Sequence, residues 1–212
     1  MPVDSPNNGE SEHLHDRLER IFPDYLTAYG KKRLSDHIRA YPDDKHYYSY
    51  SKSWDEQPGL LQGDGWSGFT KLDFNTTERP IISGIVVSNS CDIDEDNVSL
   101  RERNVVFAPI IPLATYEARL RALADVSSER IESHLDSVRK QHKSEIFYLP
   151  ESSMTPESIV PFDDVATQPL FSFAQFDGRR RLFRLNDYGF YVFLMKFSIS
   201  FCRFGENLDR GD

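Results

Sequence analysis

The chain has 212 residues, 39% of them hydrophobic and 13% aromatic, and a formal net charge of −9. This is enough apolar material for one large domain, or one domain with a helical appendage, and it excludes disorder as the overall state. The acidic balance argues against a general nucleic-acid coat or a binder of anionic membranes, which need cationic surface; a local basic patch could still serve a specific site.

Residues 1–11 are polar and read as a disordered tail, without the basic and apolar regions of a secretory signal. Residues 12–56 read as an N-terminal helical segment. Leu14, Leu18 and Ile21 recur at helical spacing, Pro23 breaks the pattern, and a second helix with Tyr25, Tyr29, Leu34 and Ile38 facing inward ends at Tyr41-Pro42. Residues 45–55 read as a connector. From residue 57 strand signals take over: a turn at Gly63-Asp64-Gly65, alternation over residues 66–74, a loop at 75–78, and a β-branched run over 81–87. Residues 94–103 form a charged, hairpin-like excursion, and residues 104–111 the next buried strand, stopped by Pro112. A helical insertion over about residues 114–143 follows, its second helix capped at Ser127 and striped by Ile131, Leu135 and Val138. Residues 145–149, 159–160 and 170–176 are strand candidates, and Asp177-Gly178 turns the chain into a strand over 179–185. About residues 187–205 read as an amphipathic helix with Phe190, Phe193, Leu194, Phe197 and Phe201 on one face, too polar for a membrane span. The expected fold class is therefore α+β, one domain over residues 57–212 with helices on both sides, located in the cytoplasm.

Four stretches could carry chemistry. Arg79-Pro80 stands before the strand ending Val87-Ser88-Asn89, Gly63-Asp64 lies upstream with Trp66 and Phe74, and Val106-Phe107-Ala108-Pro109 follows. This order resembles the PemK/MazF family of toxin endoribonucleases over about residues 59–113. The resemblance implies a small SH3-like barrel, metal-independent RNA cleavage without a cofactor, and a role for Arg79 in stabilising the phosphate attacked by the ribose 2′-hydroxyl. It also implies RNA and an antitoxin as partners, and leaves a homodimer open. The family's hydroxyl would fall near Ile110-Ile111, where none exists; Thr115 is the nearest. Ser88-Asn89-Ser90-Cys91-Asp92-Ile93 resembles a Ser/Thr-x-Cys-Asp-Ile motif of poorly characterised bacterial and phage proteins, which also share Phe147-Tyr148-Leu149-Pro150 and an Arg-Phe-Gly near the C-terminus.

Cys91 is either a nucleophile awaiting a base or a small buried residue with Asp92 capping the next turn. With Cys202 it makes two cysteines, too few for a disulfide framework or a structural zinc site. Asp92-x-Asp94-x-Asp96 starts like a calcium loop but lacks the sixth-position Gly and the twelfth-position Glu, so no metal site is assigned. Arg179, Arg180, Arg181 and Arg184 either hold nucleic-acid phosphates or pair with this chain's own carboxylates. Alternation along a strand puts Arg180 and Arg184 on one face and Arg179 and Arg181 on the other. Two functions follow as expectations. One is a toxin-like or phage-defence-associated RNA-binding endoribonuclease with Arg79, Thr115 and Cys91 as candidate catalytic residues. The other is a non-catalytic module that uses the same scaffold to bind a protein partner or nucleic acid.

Overall fold

The computed structural model describes residues 28–50, 59–94 and 102–201. The expected tail, the first N-terminal helix, most of the charged excursion, Asp96, Cys202 and the last residues of the C-terminal helix lie outside them. The chain divides into two compact units, Met1–Asp44 and Lys45–Asp212. In the first, helix α1 (Ala28–Arg39) carries His37 and Arg39 in its last turn, where cations complement the helix dipole. His37 Nδ1 hydrogen-bonds the Asp44 carboxylate just beyond it. Leu34 is buried as expected, but Tyr29 is exposed.

The second unit is α+β. Its strands are β1 (Gly65–Thr70), β2 (Ile81–Val86), β3 (Asn104–Pro109), β4 (Ile111–Pro112), β5 (Ile146–Leu149), β6 (Ser158–Pro161), β7 (Ala166–Pro169) and β8 (Arg180–Phe183). Its helices are α2 (Ser90–Ile93), α3 (Leu113–Arg121), α4 (Ser128–Arg139), α5 (Leu170–Ala174) and α6 (Asp187–Phe201). The strands form two antiparallel sheets, ordered β7-β3-β2-β1-β8 and β4-β6-β5. The β-branched run of β2 occupies the centre of the larger sheet. The expected single strand over 104–111 is divided at Ile110, because the chain leaves β3 at Pro109 and enters the smaller sheet as β4.

The larger sheet curls. In a flat sheet β7 and β1, separated by β3 and β2, would lie about 14 Å apart. Yet the Thr70 amide donates to the Gln168 side chain at 2.7 Å, a gap that only a curled sheet closes. A bulge in β1 at Gly68, with φ of +107°, adds to the bend. The core of this sheet contains Phe69, with Phe107 stacked at 4.2 Å and Phe173 at 4.4 Å. Among the described residues the sheet does not close: β7 and β8 are its two edges.

A second core lies between the smaller sheet and helices α3 and α4, built on Leu113, Ile131, Leu135, Val138, Ile146 and Ile159. Helix α4 forms where its stripe and cap predict, with the Ser127 hydroxyl accepting from the Arg130 amide. Glu157 ties this region together: Arg139 grips its carboxylate at 2.8 and 3.2 Å, and the Tyr148 hydroxyl donates to it at 2.6 Å. Burial pushes the Glu157 carboxyl up, but the bonds from Arg139 and Tyr148 outweigh it and leave the group below its ordinary value.

Three local expectations fail for physical reasons. Residues 170–176 are not a strand. Leu170 and Phe173 are buried three apart while Phe171 is exposed, which is the spacing of helix α5 rather than of alternation. Residues 45–50 are more than a connector. Tyr48 forms an antiparallel bridge with Leu185, and Tyr47 stacks on Phe147 at 5.9 Å and meets Tyr188 edge-on at 5.5 Å. In α6, Lys196 does not interrupt the buried face but belongs to it. It is 3% exposed, and its ammonium donates to the carbonyls of Gln141 (2.9 Å) and Lys143 (2.6 Å), just past the end of α4. Burial lowers its pKa to about 8, against a raising effect from Glu145.

Candidate functional site

The loop between β1 and β2 is pinned from within. The Asp73 carboxylate accepts from the amides of Asn75 (2.8 Å) and Thr76 (3.3 Å), and the Asp73 amide donates to the Glu78 carbonyl at 2.9 Å. These bonds fix a loop whose tip carries Phe74, 86% exposed, and whose return arm carries the exposed Arg79 and Pro80.

Opposite this loop the chain passes from β4 into α3. Pro112 is the N-cap and supplies no side-chain acceptor; the Leu113 amide donates instead to the Glu157 carbonyl at 2.8 Å. Thr115 lies in that first turn and Arg119 one turn later. Between loop and helix is a groove of about 510 Å³, whose lining includes Phe74, Pro80, Ile111, Thr115, Arg119 and Asp164. Lys71 is also there, paired with Asp164. Among the described residues neither Arg79 nor Arg119 forms an ion pair. The fold thus places Thr115 in one groove with Pro80, the neighbour of Arg79. Phe74 and Arg119 belong to the same groove; of the two, Arg119 was not singled out from sequence. The expected alternation over residues 66–74 puts Phe74 at the end of a strand, but β1 stops at Thr70 and Phe74 stands in the loop that follows.

The arginine segment resolves into two parts. Arg184 grips the Asp64 carboxylate with both ends of its guanidinium, each at 3.0 Å, and Arg181 Nε stands 3.5 Å from the same group. Asp64 is 1% exposed, in the turn that starts β1. Two of the four arginines are therefore internal partners of a buried carboxylate. The alternation argument separated Arg181 from Arg184, but β8 ends at Phe183 and its register against β1 shifts between Gly65 and Trp66, so the two converge. Arg179 and Arg180 remain exposed.

Cys91 stands apart from Arg79 and Thr115. It is exposed in α2, which rules out the buried-cysteine expectation, and the capping group is the Asn89 side chain, accepting from the Cys91 amide at 2.9 Å, rather than Asp92. It lines a second cleft, of about 410 Å³, together with Ser90, Trp66, Phe173 and Arg179. Histidine, the usual base for a thiol, does not line this cleft among the described residues. A third depression, of about 560 Å³, has Asp92, Glu102 and Arg103 on its walls, but the Arg103 guanidinium is engaged by the Asp94 carbonyl. Among the described residues no three His, Cys, Asp or Glu side chains gather as a metal ion would require, and no helix is long and apolar enough to cross a membrane. No protein-family model matches the sequence, and no curated protein is significantly similar to it.

Proposed function

We propose that the chain binds single-stranded RNA in the groove between the β1–β2 loop and α3, as a toxin-like or defence-associated protein on a PemK/MazF-like scaffold. The observation that carries this reading is the composition of the groove: an exposed ring at Phe74 with Arg119, Thr115 and Pro80, the chain neighbour of the exposed Arg79. A ring of this kind offers a stacking surface to a base of any identity, and the guanidinium and hydroxyl groups meet the adjoining phosphates. The curl of the larger sheet supports an SH3-like origin for the scaffold. Arg79 is the residue that would stabilise charge on a phosphate attacked by its own 2′-hydroxyl, a reaction that needs acid, base and charge stabilisation but no metal.

One observation favours a non-catalytic version of the same reading. Both carboxylates at the groove are engaged: Asp73 by its own loop amides, and Asp164 by Lys71. Neither is placed as a free general base. An antitoxin-like protein would compete for the same groove in either version. RNA cleavage and growth arrest, measured for wild type and Arg79→Ala, separate them. Cleavage by the wild type that is lost in Arg79→Ala supports the nuclease. RNA binding without cleavage leaves the binding module, and absence of both sinks the proposal.

A further inference from the structure

The cleft that holds Cys91 has a feature that packing does not account for. Trp66 is 8% exposed and forms part of its wall, yet its indole N–H is shielded from solvent and has no hydrogen-bond acceptor among the described residues. A buried donor without a partner costs about 1–3 kcal/mol, and tryptophans in cores ordinarily satisfy theirs. The ring is held in place by its neighbours. Phe173 meets it edge-on at 5.9 Å and the Arg181 guanidinium lies 5.0 Å from its centre. Phe173 is also the partner of Arg179, whose guanidinium is 6.0 Å from its ring centre. One phenyl ring therefore joins the unsatisfied donor and an exposed cation on the same cleft. Leu60, Leu61, Ile93 and Leu170 supply an apolar lining, and Asp94 and Arg179 are the charged residues on it. The Ser90 hydroxyl accepts from the Gln62 amide at 2.9 Å, which leaves its own proton to give.

From this we infer that the cleft is a binding site for a small aromatic anion: a flat apolar body bearing a carboxylate, sulfonate or phosphate group. The body fills the space between the apolar residues and Phe173. Arg179 pairs with the anionic group, and a shift of the Trp66 ring on binding brings its shielded N–H to an acceptor on the ligand. A volume of about 410 Å³ suits a ligand of this size. The site shares no lining residue with the RNA groove, so it stands or falls independently of that reading.

Anilinonaphthalene sulfonate, titrated into the folded full-length chain and followed by its fluorescence, is a suitable probe. The expected result is saturable one-to-one binding, about tenfold or more weaker in Arg179→Ala and weaker in Trp66→Phe, which keeps a ring but removes the donor. Arg130→Ala, on the exposed face of α4, leaves it unchanged. In a Cys202→Ser background, bound probe slows the reaction of Cys91 with a thiol reagent. Because Arg179 is exposed, its replacement tests the site even if Trp66→Phe destabilises the fold. Equal affinity in Arg179→Ala would overturn the inference. So would equal binding of neutral phenylnaphthylamine, which has the same rings without the charge, or an absence of saturable binding.

Discussion

Asp64 shows how a single buried charge sets local structure. A carboxylate that is 1% exposed loses nearly all of its hydration, and only a partner with matched geometry offsets that loss. Arg184 provides it with two parallel bonds, and Arg181 adds its charge. Asp64→Asn should cost about 3–5 kcal/mol, because it leaves two guanidinium groups without their counter-charge; urea unfolding measures this, and a loss under 1 kcal/mol would refute the assignment. Lys196 is the opposite case, a cation whose burial works against it. Its folded pKa of about 8 lies below the unfolded value near 10.5. Between those values the unfolded chain binds more protons, so stability rises with pH, by at most about 3 kcal/mol from this group. Urea unfolding between pH 7.5 and 9.5 should therefore show wild type gaining on Lys196→Met. Parallel curves for the two proteins would contradict the geometry. Neither role was legible in the sequence. Asp64 reads as a turn residue within the Gly63-Asp64 motif and Lys196 as a polar interruption, since the partners of both come from distant parts of the chain.

At the scale of elements, legibility followed periodicity. Helix α4 has a cap, a three- and four-residue stripe and a charged outer face, and it forms where they say. Ser127→Ala should destabilise it by about 1 kcal/mol, the usual worth of an N-cap, read from the shift in thermal midpoint. β2 was legible from its β-branched run for the same reason. Helix α5 was not, because a five-residue segment offers a single three-residue spacing that a strand pattern also tolerates. Residues 45–50 were hidden differently. Their aromatic rings pack on β5 and α6, contacts that no local pattern encodes. The close approach there has a sharp consequence at Gly189, where an added Cβ would stand 2.4 Å from the Tyr47 carbonyl oxygen. Gly189→Ala should cost about 1–3 kcal/mol through overpacking, despite alanine's better helix propensity. A thermal midpoint equal to or above wild type would show that α6 can move away from residues 45–50.

The second unit combines a curled, open antiparallel sheet with a smaller sheet under two helices, and the groove proposed to take RNA lies where they adjoin. Arg79 and Thr115 were singled out from sequence through their place in a motif order. The chain path from β4 into α3 puts the Arg79-Pro80 loop and Thr115 beside one groove. Phe74, part of the same motif order, and Arg119 complete it, and only the folded chain brings them together. The central claim is that this groove, rather than the arginines around residue 180, takes the nucleic acid. The affinity of a labelled single-stranded RNA at fixed low salt, measured by fluorescence anisotropy, tests it most directly. The account predicts that Phe74→Ala and Arg79→Ala each weaken binding about tenfold, as expected for the loss of a stacked base or a phosphate contact, while Arg180→Ala has little effect. Full affinity in Phe74→Ala and Arg79→Ala, with loss in Arg180→Ala, would contradict it.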